Sequence, residues 1–187
     1  MESYDSLHNQ LLIAMPGMLD PNFSTTVTLI CEHSPEGALG IIINRPTEMS
    51  LGGLFEQLDL RNVNAAVATL PVMNGGPVAP ERGFVLHDAS SEFESTVAVS
   101  PDIQLTMSRD ILDSLAEGAG PDQSLIALGY AGWQAGQLED EILQNTWLHV
   151  PASKEILFEV PFENRWEYAA SSLGIDISRL SPHAGHA

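Results

Sequence analysis

Five groupings of side chains have types and spacings that could support chemistry. The first is Glu139, in the run LGYAGWQAGQLEDEILQNTWL from Leu128 to Leu148. A helix is predicted from about Gly136 to Asn145. At about 100° per residue, Leu138, Ile142 and Leu143 fall at roughly 0°, 40° and 140°, with Glu139 between them at about 100°. Asp140 and Glu141 fall at roughly 200° and 300° and are expected to be solvated. A carboxylate among apolar residues must accept hydrogen bonds, pair with an arginine, or hold its proton more tightly. Arg45 is the candidate partner. The bland reading makes Glu139 a first-turn carboxylate answering the helix amides.

The second grouping is Cys31 and His33, two apart on a predicted strand and so expected on one face. A thiolate activated by imidazole is a nucleophile. Same-face neighbours on a strand lie about 6–7 Å apart, long for a direct hydrogen bond. A small buried thiol beside a structural histidine is therefore the preferred reading. Third, Glu32, His33, His87, Asp102 and Glu139 are donor types that suit divalent ions. No spacing demands a metal, and neither metal nor cofactor is assigned. His183 and His186 form an H-x-x-H without a third ligand and read as a solvated tail.

Fourth, Asn44-Arg45 and Asp102-x-x-x-Thr106 place polar groups at element ends, where sites often sit. For Arg45, an internal ion pair and an anion-binding role weigh equally. Fifth, Tyr130, Trp133, Gln137 and Asn145 flank Glu139 and complete the candidate ligand- or partner-binding set. Trp133 and Trp147 read first as core area, with a ligand platform as the alternative. The spacing G-x-x-G-x-x-x-G is neither a dinucleotide fingerprint nor a P-loop. There is no G-x-S-x-G elbow, H-E-x-x-H or zinc-finger spacing, so an enzyme reading has no motif behind it.

Composition narrows the classes. At 187 residues, with 44% hydrophobic and 17% charged residues, the chain suits one folded domain spanning 1–187. No apolar run approaches the ~20 residues of a membrane span. The start MESYDSLHNQ lacks a basic n-region, and the lone Cys31 excludes an internal disulfide, so the cytosol is the expected compartment. Seven basic against 25 acidic residues give a formal charge of −18, and Lys154 is the only lysine. Such a chain should repel a phosphate backbone unless its arginines cluster. The acidity favours cationic partners, or reflects a salt-adapted host.

The elements that must position these residues follow from periodicity. Strands are predicted at 10–15, 27–32, 38–44, 83–87, 96–100 and 124–128. Ser34-Pro35-Glu36-Gly37 is expected to close a hairpin by a type I turn. Gly129–Gly132 is read as the end of the last strand, and 154–160 as a further strand. Helices are predicted from Ser50 to about Asp59, from a Ser108 cap to Gly118, and from an Asn164/Glu167 capping box to Gly174. Hairpin groups without strict alternation of strand and helix favour α+β over a doubly wound sheet.

Met15-Pro16, Asp20-Pro21-Asn22-Phe23, Cys31-Glu32-His33, Asn44-Arg45-Pro46, Gly75-Gly76-Pro77-Val78, Pro101-Asp102-Ile103, Gly129-Tyr130-Ala131-Gly132-Trp133 and Gly136-Gln137-Leu138-Glu139 together resemble the AlgH/YqgE family of bacterial proteins. The similarity runs from about Leu11 to Ala187. It implies a single α+β domain around an antiparallel or mixed, barrel-like sheet with flanking helices. The family has no established biochemical activity, and its members' label as transcriptional regulators comes from genetic association with alginate control. No basic stripe or helix-turn-helix pair supports DNA recognition. The expected function is a non-enzymatic regulatory or binding protein acting through a protein or small-molecule partner, with no membrane role and oligomeric state undetermined. One alternative is a hydrolase using Glu139 with His33 or His87; another is direct DNA binding, disfavoured by charge.

Overall fold

The computed structural model describes residues 5–62 and 64–180, so the His183/His186 pair lies outside the described residues. Ten strands are described: β1 (Gln10–Ala14), β2 (Val27–Ser34), β3 (Gly37–Ile42), β4 (Pro46–Ser50), β5 (Pro71–Asn74), β6 (Val78–Asp88), β7 (Thr96–Ala98), β8 (Ile103–Thr106), β9 (Ser124–Gln134) and β10 (Trp147–Pro151). The sheet runs β10-β1-β2-β3-β9-β6-β8-β7, with β4 on β5 and β5 beside β9. All pairs are antiparallel except β5 with β9. The helices are α1 (Leu51–Gln57), α2 (Ala65–Ala68), α3 (Asp110–Ala116), α4 (Gln137–Leu143) and α5 (Arg165–Ser171). This is the α+β class expected, a curled half-barrel of mainly antiparallel strands.

Alternation along the strands gives the sheet two apolar faces. Leu11, Ile13, Leu29, Ile41, Phe84, Leu86, Leu125 and Ala127 point inward and pack on Ile156, Leu157, Ala169 and Ala170 from the chain after β10. Outside, α1 and α3 place Leu54, Phe55, Ile111 and Leu115 over Val72, Val85 and Ile126. Also outside, α4 lays Leu138 over Leu12, Ala14, Ile30, Trp133 and Trp147. The interior core thus receives apolar residues from the sheet along most of its width.

Four local expectations are corrected. Gly129–Gly132 does not end a strand: β9 continues to Gln134, with Gly129 at φ +80°. The backbone of Gly75 and Gly76 packs directly against it. A Cβ on Gly76 would lie 2.1 Å from the Tyr130 carbonyl carbon, so side chains are excluded there. Residues Glu155–Glu159 form a π-helical turn, not a strand. Its apolar residues Ile156 and Leu157 are adjacent, which a half-buried strand would place on opposite faces. Ser108 does not cap α3; its hydroxyl donates to Asp110 Oδ1 at 2.5 Å. The capping box does not form either, because Asn164 has helical angles (φ −104°, ψ −6°) and its side chain makes no cap bond. Ser50 does cap α1, accepting from the Gly53 N–H at 3.2 Å.

Candidate functional site

A bulge in β2 decides the geometry around Cys31. Ile30 pairs with Gly40 and Glu32 with Leu39, leaving Cys31 as the extra residue. Cys31 therefore packs in the interior core with Leu29, while His33 pairs with Ala38, which packs beneath α4. The two side chains leave the strand on opposite faces, contrary to the simple alternation used above. Cys31 is 2% exposed, and burial, aided by Glu32, pushes its thiol well above the usual range. It is a packed thiol and not an activated nucleophile.

His33 and Glu139 meet, 106 residues apart, at 2.6 Å between Nε2 and Oε1. The Leu7 N–H donates to His33 Nδ1 at 2.8 Å. Since Nδ1 accepts, the proton sits on Nε2 and is donated to the carboxylate. The imidazole is 1% exposed and the carboxylate 33%. Both ring nitrogens are thus committed to internal partners that join the N-terminal segment, β2 and α4.

Arg45 does not reach Glu139. Its guanidinium donates to the Asn22 carbonyl and, at 3.0 Å, to the Ser24 carbonyl. Asn44 accepts from the Val27 N–H at 2.8 Å and donates to the Thr25 carbonyl at 2.9 Å. Asn44-Arg45 is a clamp on the loop before β2. The backbone carbonyls it satisfies carry no signature in sequence, which is why a carboxylate looked the better partner.

Glu141 was expected in water and is not. Trp147 Nε1–H donates to its Oε1 at 3.4 Å, while Oε2 is buried without a partner among the described residues. Burial raises its pKa, an effect moderated by the Trp147 bond and by the neighbouring donors of Trp133 and Gln137. Leu143, expected inward, is 80% exposed. The inward face of α4 is Leu138, Glu141 and Ile142, the i, i+3, i+4 set; Leu143 lies about 100° past Ile142, more than a quarter of a turn outside it. Phe23, Trp133 and Trp147 complete this side, with ring centroids 5.7–6.3 Å apart. Gln137 Oε1 accepts from the Gln134 N–H at 3.0 Å, closing the turn into α4. Asn145, exposed at φ +59°, follows that helix.

His87 and Thr106 form a separate buried chain. The His87 Nδ1–H donates to the Asp88 carbonyl at 2.7 Å, so Nε2 accepts from the Thr106 hydroxyl at 2.7 Å. Thr96 then donates to Thr106 at 2.8 Å and accepts from the Phe93 N–H at 2.9 Å. Each polar atom in the chain has a partner, and burial lowers the His87 pKa so that the ring stays neutral. For Asp88, burial works upward but is outweighed by hydrogen bonds from Ser90 and Gln123, and its pKa is lowered. Asp102 is exposed and borders a shallow depression with Asp88, Asp122 and Lys154. Among the described residues no three His, Cys, Asp or Glu side chains are placed to hold a metal ion.

A concavity of about 840 Å³ lies over β2, β3 and β9 and is bordered by Glu32, His33, Tyr130 and Trp133. Leu39 pairs with both Glu32 and Gly132, so these three and Tyr130 face the interior side. His33 and Trp133 border the cleft while their side chains turn toward α4. Val78 and Val97, 38% and 37% exposed, also line it. The cleft is therefore an end of the half-barrel interior that the chain's own side chains leave open. Gly132, Val78 and Val97 were not among the expected site residues, because single exposed valines and a strand glycine carry no site signal without the curl that gathers them. Of the expected residues, Asn44, Arg45, His87, Asp102, Thr106, Gln137, Glu139 and Asn145 lie outside this lining.

A model of the AlgH-like family matches residues 11–178. A UPF0301 protein of Saccharophagus degradans is 53% identical over 182 residues, covering 97% of this chain and 89% of the relative. One from Thioalkalivibrio sulfidiphilus is 50% identical over the whole of both chains. The solution structure of the AlgH protein from Pseudomonas aeruginosa matches with TM-score 0.79 and 45% identity, covering 100% of this chain and 99% of that one. A crystal structure from Corynebacterium diphtheriae shares the fold at TM-score 0.70 and 19% identity, over 92% and 90% of the two chains. On the extent of the family match and of the identities, this chain belongs to the AlgH-like family.

Proposed function

We propose that this chain is a cytosolic, non-enzymatic regulatory binding protein whose cleft takes an extended, basic segment of a partner protein. The observation that carries the reading is the cleft itself. An opening of about 840 Å³ has apolar walls from Val78, Val97 and Tyr130, and acids Glu32 and Glu36 on its lining. Among the described residues strand β7, which contributes Val97, pairs with β8 alone, so its other edge can accept backbone hydrogen bonds. The formal charge of −18 adds long-range attraction for a cationic partner. A hydrolase built on His33 and Glu139 is less favoured, since both imidazole nitrogens already serve internal bonds.

Gly132 offers a clean test. A Cβ there would meet its nearest neighbour, a Tyr130 ring atom, at 3.5 Å, which is ordinary contact. Gly132→Leu should therefore fill the cleft without disturbing β9. A fluorescein-labelled alternating Lys-Val heptapeptide is titrated with the full chain at low salt and read by polarisation. The expectation is saturable binding, weakened about tenfold or more by Gly132→Leu, roughly the effect of one blocked apolar contact. Equal binding by the variant, or by a Glu-Val peptide, would overturn the proposal.

A further inference from the structure

Arg165 is the first residue of α5 and is 7% exposed. Its Nε–H donates to the Val160 carbonyl at 3.0 Å and Nη1–H to the Ile43 carbonyl. A guanidinium carries five N–H donors, and the Arg165 side chain makes no other hydrogen bond among the described residues. No described carboxylate lies within salt-bridge distance. Burial lowers its pKa to about 10, with Glu163 opposing from a distance, so the group is still a cation at neutral pH. A buried cation without a counter-charge is costly, and such groups are ordinarily paired.

This cation lines a cavity of about 200 Å³. The walls are chiefly apolar, from Pro71, Met73, Leu125, Leu157, Phe158 and Phe162. One side is formed by the π-helical turn Glu155–Glu159, whose i→i+5 bond runs from the Val160 N–H to the Glu155 carbonyl at 2.9 Å. Single π turns recur at functional sites, and this one both shapes the cavity and presents the Val160 carbonyl to Arg165. Glu159 also lines the space, but its side chain is exposed and its charge is screened by water.

We propose that this cavity binds a small organic carboxylate, its head group on the Arg165 guanidinium and its short apolar chain against Leu157, Phe158 and Phe162. Planar, bidentate pairing is what a guanidinium offers a carboxylate. Phosphate is disfavoured, because a second negative charge would enter an apolar cavity holding one cation. The volume is below the range usual for drug-sized ligands and fits a chain of a few carbons. This site is independent of the cleft over β2, β3 and β9: the two linings share no residue.

The test is a titration of the isotopically labelled full chain with sodium butyrate, 1-butanol and inorganic phosphate, each at constant ionic strength. Butyrate should shift the Arg165 Nε–H and the Phe158 and Phe162 amides saturably, with a dissociation constant on the order of millimolar for so small a ligand. Butanol and phosphate should leave the Nε–H in place. Arg165→Lys, which keeps the charge but loses the fork, should weaken butyrate about tenfold. Phe162→Ala removes a wall without touching Arg165. It should weaken butyrate and leave acetate unchanged, which holds the proposal open to refutation even where Arg165→Lys fails to fold. No saturable shift in the wild-type chain, shifts scattered over the surface, or phosphate acting as strongly as butyrate would each overturn it.

Discussion

His33 and His87 are both shielded imidazoles, yet their partners give them different properties. His33 holds a carboxylate on one nitrogen and a backbone N–H on the other. His87 holds a backbone carbonyl and a threonine hydroxyl, and burial lowers its pKa. The sign of its contribution follows. Above pH about 6.5, the ordinary histidine value, His87 is neutral in folded and unfolded chains alike and adds no pH dependence. Below that, the unfolded chain binds a proton that the folded chain refuses, so stability falls as pH drops. The slope from this residue is at most about 1.4 kcal/mol per pH unit. His87→Gln, which can still donate and accept, should flatten urea-denaturation midpoints between pH about 6.5 and 5. A profile as steep as wild type would show that another group titrates there.

Among the elements, α4 is held by Leu138 and Ile142 against the outer core, by Gln137 and Glu141 to Gln134 and Trp147, and by Glu139 to His33. Removing the imidazole leaves the Leu7 N–H and the Glu139 carboxylate without that partner. His33→Ala should therefore cost about 1–3 kcal/mol, the usual range for orphaned, partly buried polar groups. Glu139→Gln keeps an acceptor for Nε2–H and should cost about 1 kcal/mol or less. Hydrogen exchange should localise the difference, with faster exchange in residues 7–9 and in α4 for His33→Ala and little change in β6. Uniform acceleration across the sheet would mean that the pair supports the whole fold and not this junction.

For the whole molecule, 25 acids facing seven bases set a self-repulsion that no single contact describes. Among the described residues the ion pairs of Arg109 with Asp113 and Arg179 with Asp176 are exposed and local, so they offset little of it. Raising sodium chloride from low ionic strength to about 0.5 M should screen the repulsion and add about 1 kcal/mol, which is about 2–4 °C in Tm for a chain of this size. Calorimetry at both salt concentrations checks this, and an unchanged or lower Tm would place the charges too far apart to matter. No described helix is long and apolar enough to cross a membrane.

Much of the frame was legible because it rests on local periodicity. Short apolar runs located β1, β2, β3 and part of β9, Ser50 marked α1, and hairpin spacing indicated an α+β sheet. The family resemblance was equally plain from contiguous motifs such as GYAGW and GQLE. The site was less so, because its determinants act between residues far apart in the chain. Sequence marked Glu139 as a carboxylate needing a partner, but distance along the chain could not distinguish Arg45 from His33. An extra residue in β2 reversed the facing of His33 relative to Cys31, and no property of either residue announces that bulge. Composition and periodicity determined a folded, acidic α+β chain, since these act over a few residues at a time. Only the curl of the sheet decided which side chains border the cleft, and only close packing around α5 left Arg165 buried with carbonyls for company, because burial belongs to the assembled molecule and to no segment of it.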